Sequence, residues 1–203
     1  MKIGILAVQG DFEAHAAALA RIGVDYVFVR TPRDLKGVGG VILPGGESTT
    51  QWKFLVQEGL DNALTAHAAK GGAIFGTCAG AILLAQEVRN PEQESLKLAD
   101  IAVIRNAYGR QLASEVRHGA TAISAEPIEM VFIRAPIIER VGKDVEVLAE
   151  SGGKPVLIRQ GRILIATFHP ELTADATVHE YFLDLAGDKS SVNETLVVGR
   201  DRQ

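Results

Sequence analysis

Ala73-Ile74-Phe75-Gly76-Thr77-Cys78-Ala79-Gly80-Ala81-Ile82-Leu83-Leu84-Ala85, residues 73–85, is the stretch whose reading decides the fold. Ala73 to Phe75 is a short apolar strand, Gly76 to Gly80 a turn, and Ala79 to Ala85 a helix that begins almost at once. The same alternation runs upstream. Ile3 to Val8 is a nearly continuous apolar run, broken by Gln9-Gly10-Asp11, and Phe12 to Arg21 carries a helical stripe closed by Gly23. Tyr26 to Val29 and Gly40 to Leu43 read as strands, Trp52, Leu55, Val56 and Leu60 as one helical face, and Leu64 to Ala69 as a further turn or two. Strands alternating with helices imply right-handed crossovers and a parallel sheet covered on both faces. The expected fold is α/β: three layers around a mostly parallel, flavodoxin-like sheet.

Downstream the pattern changes. Strand-like runs crowd together at Ile101–Ile104, Glu129–Ile133, Val145–Ala149, Val156–Arg159 and Ile163–Thr167, with a hairpin expected around Gln160-Gly161. These antiparallel strands are expected to extend the sheet or to form a small subsheet. A last helix is expected from Ala174 to Ala186. Residues 187–203 are polar with a short apolar island and read as a loose tail, leaving residues 1–186 as one domain.

Composition sets the outer limits. The chain has 203 residues, 47% hydrophobic and 23% charged, enough to bury a core without disulfide or metal staples. A formal charge of −4 argues against a nucleic-acid partner. The N-terminus lacks the long apolar region of a signal peptide and no apolar run approaches a membrane span, so a cytoplasmic protein is expected. A single cysteine excludes an internal disulfide and a multi-cysteine zinc site. It is either a small buried hydrophobe or a lone nucleophile.

The turn favours the nucleophile. G-x-C-x-G between strand and helix is the thiol form of a nucleophile elbow, whose backbone is strained and closely packed. The sulfur stands at the positive end of a helix, and the Ala79 N–H points where an oxyanion would form. Among five histidines, His15, His67 and His179 fall in helical stretches and His118 in a polar turn; all four read as ordinary surface or helix-face residues. His169 follows the Ile163–Thr167 strand at its carboxyl end, where ligand sites of open α/β sheets lie. Glu171, two residues on, can share its side of the chain and orient the imidazole. A structural His-Pro turn would explain His169 alone, but not the carboxylate and the elbow with it. Leu43 to Thr50 supplies adjacent glycines able to present N–H groups to an anion, or else simply a Gly-Gly turn before a capped helix. No Gly-Lys-Ser/Thr follows, so it is not a phosphate loop.

Three separated motifs in this order, Pro44–Glu47, Gly76–Gly80 and Phe168–Glu171, resemble class I glutamine amidotransferases. Val8–Asp11, PGGESTT at 44–50, RNAYGRQ at 105–111 and FIRAP at 132–136 are similar to the branch of that family that serves two-component pyridoxal 5'-phosphate synthases. The resemblance spans residues 1 to about 186 and implies the class I amidotransferase fold. It implies Cys78, His169 and Glu171 as a catalytic triad hydrolysing L-glutamine through a thioester. It further implies an oxyanion hole from Gly46 and Ala79, and glutamine held by Gly46, Glu47, Ser48, Arg105, Ile133 and Arg134. A (β/α)₈-barrel synthase subunit is the implied partner, with no cofactor or metal for this chain itself. The doubled glycine next to the nucleophile marks the Gly45-Gly46 peptide as the hinge of a partner-dependent switch. A cysteine peptidase of the same superfamily, a non-catalytic scaffold and a flavodoxin-like nucleotide binder leave parts of this set unexplained.

Overall fold

The computed structural model describes residues 1–105 and 114–187. The chain runs β1 (Lys2–Leu6), α1 (Phe12–Arg21), β2 (Tyr26–Val29), β3 (Val38–Leu43), α2 (Ser48–Glu58), α3 (Leu60–Ala69), β4 (Ala73–Thr77) and α4 (Ala79–Leu84). It continues with β5 (Ala85–Arg89), β6 (Ala99–Ile104), β7 (Ser114–Thr121), β8 (Ser124–Ile133), β9 (Ile137–Val141), β10 (Glu146–Ser151), β11 (Lys154–Gln160), β12 (Ile163–Ala166) and α5 (Thr177–Gly187).

Nine strands form the main sheet in the order β2-β1-β3-β4-β12-β11-β10-β7-β8. The first five are parallel, and their order is that of flavodoxin-like sheets. From β12 onward each neighbour is antiparallel, beginning with the β11–β12 hairpin around Gly161. β5, β6 and β9 make a separate three-stranded sheet. Both expected fates of the antiparallel strands are therefore realised: one set extends the sheet and another forms a subsheet. β5, β7 and β9 were not anticipated. The C-terminal helix starts at Thr177 rather than Ala174, because Asp175 Oδ1 accepts the Thr177 N–H at 2.9 Å and a 3-10 turn occupies Pro170–Leu172. Gly187 closes that helix; the rest of the expected tail lies outside the described residues.

The parallel strands are apolar on both faces because helices cover both. Ile5, Ile42, Phe75 and Leu164 point into one buried cluster, which α1 and α5 close through Leu19, Val178 and Phe182. Val41, Leu43, Ile74 and Ile165 point the opposite way, against Leu55, Leu64 and Leu83 of α2, α3 and α4. The period of two along each strand sets this division. It also puts Thr77 on the same face as Phe75, towards α1 and α5. Among the described residues no helix is long and apolar enough to cross a membrane.

Candidate active site

Four parallel strands end at one edge, and the loops after them converge there. The register pairs Leu43 of β3 with Gly76 of β4, and Thr77 with Ala166 of β12, so the segments following the three strands leave the sheet side by side. Cys78 stands between β4 and α4 with φ +48° and ψ −100°, an outlying conformation for a side-chain-bearing residue. Its N–H is tied to Ala166 O at 2.9 Å, and its Sγ lies 3.9 Å from the Ile133 carbonyl oxygen. α4 packs so closely behind it that a Cβ at Gly80 would collide with the Leu43 carbonyl.

His169 is carried past the end of β12 and pinned to β8, its N–H donating to Val131 O at 2.8 Å. Its Nδ1 is 2.8 Å from Glu171 Oε1; both side chains are buried. Burial disfavours the imidazolium, but its interactions with Cys78 and Glu171 outweigh it and raise His169 to about 10. Burial likewise opposes ionisation of Glu171, yet the His15 and His169 rings hold its carboxyl below the usual value. Cys78, His169 and Glu171 thus stand in line, with the His169–Glu171 step hydrogen-bonded. Asp11 also approaches, Oδ2 to His169 Nδ1 at 3.8 Å. Asp11, His169 and Glu171 offer metal-ligand atoms within 4.8 Å of one another, but the Glu171 hydrogen bond already occupies His169 Nδ1.

An open cleft of about 380 Å³ lies over this line. Every residue singled out from the sequence borders it except Glu171, which stands behind His169: Gly46, Glu47, Ser48 and Arg105 on one side, Cys78, Ala79, Ile133, Arg134 and His169 on the other. Residues 5–186 match the SNO glutamine amidotransferase family. The chain belongs to that family.

Relatives agree along nearly their whole length. Pyridoxal 5'-phosphate synthase subunit PdxT of Koribacter versatilis is 50% identical over 191 residues, 94% of this chain and 98% of the relative. The protein of the same name from Solibacter usitatus is 53% identical over 188 residues, covering 90% and 97%. A glutamine amidotransferase crystal structure superposes with a TM-score of 0.87 at 46% identity, covering 92% of this chain and 99% of the other. PurLQS from Thermotoga maritima, 15% identical with a TM-score of 0.65, covers 90% and 97% and shares the fold.

Within this amidotransferase frame the polar residues of the cleft are already engaged. Glu47 caps α2, accepting the Thr50 N–H at 2.7 Å and the Thr49 N–H at 3.3 Å. Desolvation is the largest single influence and raises its pKa, but the hydrogen bonds from Thr50 and Thr49 together outweigh it and hold the carboxyl down at about 2. Arg105, largely covered, reaches Glu47 Oε1 at 3.4 Å and donates to Thr49 Oγ1 at 3.0 Å. Ser48 Oγ is buried and donates to Gln93 Oε1 at 2.9 Å. Arg134 adopts φ +45° and is exposed at the cleft edge. Of the RNAYGRQ motif only Arg105 falls within the described residues.

Sequence reading missed the groups that hold the glycine loop. Gln9 Oε1 accepts the Glu47 N–H at 2.8 Å, and the buried Gln51 amide donates to Gln9 O at 2.9 Å and Pro44 O at 3.2 Å. The Asp11 N–H donates to Gly45 O at 3.0 Å, and the Gly45 N–H donates to Thr77 Oγ1 at 3.1 Å. The polar Gln9-Gly10-Asp11 break after β1 was the available signal.

Three histidine readings need correcting. His15 and His179, expected on helix surfaces, are buried where α1 and α5 face the sheet, against Phe75. His118 lies within β7, opposite Glu129, rather than in a turn. Burial lowers the pKa of His15 despite the pull of Glu171, and burial with the adjacent His15 ring lowers His179 to about 3. Both rings are neutral when folded but protonate at about 6.5 when unfolded, so the stability they give is full above about 6.5. It is lost as pH falls below that, the His179 part on the way to about 3. His169 has the opposite sign: its contribution is full below about 6.5 and disappears as pH rises through about 10. Calorimetric melting across pH is expected to show both limbs, and His179→Phe to flatten the acid limb; an unchanged acid limb in that variant would contradict the assignment.

Proposed function

We propose that this chain is the glutaminase of a two-component pyridoxal 5'-phosphate synthase, acting in the cytoplasm, with residues 1–186 as its one glutaminase domain and the residues beyond as an appended tail. The observation that carries this is Cys78 and His169 on one cleft, with Glu171 hydrogen-bonded behind His169, in a chain of this family. His169 holds the Cys78 thiol proton as an imidazolium, and Sγ attacks the side-chain amide carbon of L-glutamine. Gly46 and Ala79 N–H groups meet the oxyanion, the C–N bond breaks, and His169 gives its proton to the departing ammonia. Water activated by the same imidazole hydrolyses the γ-glutamyl thioester and frees glutamate. Glu171 keeps His169 in the tautomer whose Nε2 faces sulfur and stabilises the imidazolium.

Glutamine carries one positive and one negative group on its α-carbon, and the cleft offers both complements. Glu47 suits the ammonium, Arg105 and Arg134 the carboxylate, and Ser48 and the Ile133 backbone supply neutral polar contacts. The Glu47–Arg105 pair at 3.4 Å would open to admit the ligand. Ammonia then passes to a (β/α)₈-barrel synthase subunit, the partner in which pyridoxal phosphate is assembled. Assaying glutamate release with and without that subunit tests the whole: hydrolysis is expected with it, and none in the assembled complex would refute the assignment.

The Gly45-Gly46 peptide is the natural place for the partner to act. Its carbonyl is held by the Asp11 N–H, and turning it requires that bond to be exchanged. Gly46 has φ +150°, and a Cβ there would stand 2.6 Å from Gln9 Oε1 and 2.9 Å from Gly10 Cα. Gly46→Ala is therefore expected to keep partner binding while lowering kcat by about a hundredfold, the scale of one lost oxyanion donor. Wild-type turnover in the variant would remove the loop from the mechanism.

A further inference from the structure

Behind the catalytic line, on the side away from the cleft, lies a second group of polar side chains that the hydrolysis scheme does not use. His15 projects from α1 and His179 from α5, and they meet beneath the end of β4, sealed from solvent by Phe75 and the surrounding apolar cluster. His15 Nδ1 is 3.1 Å from His179 Nε2. His15 Nε2 is 3.1 Å from Thr77 Oγ1 and 3.5 Å from Glu171 Oε2. Thr77 Oγ1 is the acceptor of the Gly45 N–H. One ring nitrogen therefore touches both the carboxylate that orients His169 and the hydroxyl that anchors the glycine loop.

We infer that His15, with its proton on Nε2, is a positioning residue that ties the free oxygen of Glu171 to the Thr77–Gly45 anchor, so that the base and the glycine loop are held in register by one buried side chain. The proton arrangement follows from what each atom faces. Among the described residues Glu171 Oε2 has no hydrogen-bond partner closer than the His15 nitrogen, and a buried carboxylate oxygen needs a donor there. A bare nitrogen would set one lone pair against another. At the far end, His179 Nδ1 is buried without a partner among the described residues. Left as a lone pair it is tolerated more easily than an N–H with nowhere to donate. Both conditions choose the same chain: His179 Nε2–H donates to His15 Nδ1, and His15 Nε2–H donates between Thr77 Oγ1 and Glu171 Oε2. The opposite chain would strand an N–H on His179 and turn a lone pair towards Glu171. Burial, which keeps both rings uncharged, agrees with this. Protonating His15 would also meet the charge of His169, and protonating His179 that of Arg21, while Glu171 and Asp11 face His15 and Glu171 and Asp175 face His179.

His15 touches neither substrate nor sulfur. Its effect runs through Glu171 and through the loop bearing Gly45, and what that positioning serves rests on the glutaminase reading above. The hydrogen-bond chain itself does not. Two measurements separate the two. Nitrogen-15 imidazole spectra of the full chain at neutral pH are expected to show His15 and His179 as neutral Nε2–H tautomers; an Nδ1–H tautomer or an imidazolium at His15 would overturn the proposal, whatever the enzyme does. In the assembled synthase, His15→Asn is expected to lower kcat for glutamine by about tenfold or more with KM within about twofold, since misplacement of reacting groups by an ångström has effects of this order or larger. His15→Gln, whose terminal amide nitrogen reaches the position of the imidazole Nε2, is expected to recover most of the rate. Equal losses in the two variants, or no loss in a folded His15→Asn, would overturn the proposal. If His15→Asn does not fold, the spectra of the wild-type chain still decide. Absence of glutamine hydrolysis in the wild-type complex would instead count against the glutaminase reading alone.

Discussion

Cys78→Ala is expected to reduce glutamine hydrolysis by about 10⁴-fold or more, the scale set by removal of a covalent nucleophile elsewhere. The fold should survive. Cys78 is 8% exposed and its sulfur meets the Ile133 carbonyl at 3.9 Å and the His169 ring, so the loss is one sulfur atom beside an open cleft. The positive φ is imposed by β4, α4 and the Ala166 O bond, and alanine bears it no worse than cysteine. Synthesis by the partner should continue when ammonia is supplied directly. Glutamate release is measured in the complex, beside product formation from glutamine and from ammonia. A variant that still hydrolysed glutamine would refute the mechanism; one that failed with both nitrogen sources would mean that the substitution harms assembly rather than chemistry.

The removal of sulfur also changes His169. Its raised pKa draws on Cys78 and Glu171 together, against burial. Without the sulfur partner the ring should titrate lower, and the alkaline limb of the stability curve should move to lower pH. The same calorimetric melts read that shift.

The parallel half of the sheet was legible because its strands are apolar on both faces and each ends in a sharp polar break. Those breaks, at residues 9–11, 44–47 and 76–80 and around His169, are where the chain leaves the sheet edge, so the motif positions and the site positions coincide. β7 was not legible because most of its side chains are exposed: Ser-Glu-Val-Arg-His lies beyond the helical layers, and Val116 is 57% exposed. Neither face has a reason to be apolar there, and the pairing with β8 comes from backbone hydrogen bonds and cross-strand contacts such as Arg117 over Phe132. β5 and β9 are five residues each and meet only through β6, a neighbour that no local pattern names.

The histidine errors have a different origin. In the Ala-rich α1, His15 falls on the same stripe as Ala16, Ala18 and Leu19, which is the buried one, but an alanine stripe is a weak marker of which side faces the sheet. A buried polar residue becomes recognisable once its partners are known, and those of His15 come from β4, the segment after β12, and α5. The charged groups show the same limit. Glu47 was assigned to glutamine on resemblance, while its immediate physical role is to cap α2 with two backbone hydrogen bonds. Local sequence announces the cap, since a carboxylate followed by Ser-Thr-Thr at a helix start is favourable by itself. That Arg105 arrives beside it from 58 residues away is information only the assembled sheets contain.

Gly80→Ala is expected to damage stability and activity together, and its reason lies in the same elbow. An added Cβ would run into the carbonyl of Leu43, the last residue of β3, with the Leu43 Cβ a further 3.1 Å neighbour. The obstacle is backbone, which no rotamer change can clear, so α4 must lift from β3. Gly76 fits from the other side, where a Cβ would be 2.7 Å from the Gly80 carbonyl carbon. Alanine gains about 1 kcal/mol over glycine in helix propensity, but overpacking of this kind typically costs about 1–3 kcal/mol or more, and backbone displacement places it at the upper end, leaving a net loss of about 2 kcal/mol. The shift also bears on catalysis, because Leu43 leads directly into the Pro44-Gly45-Gly46 loop and α4 carries the Ala79 N–H. Denaturant unfolding should give a lower midpoint with an unchanged slope, and kcat should fall by more than the unfolded fraction explains. A variant with the wild-type midpoint and the wild-type turnover would mean that α4 does not sit against β3 as described, and the closeness that gives the nucleophile its strained geometry would need another source.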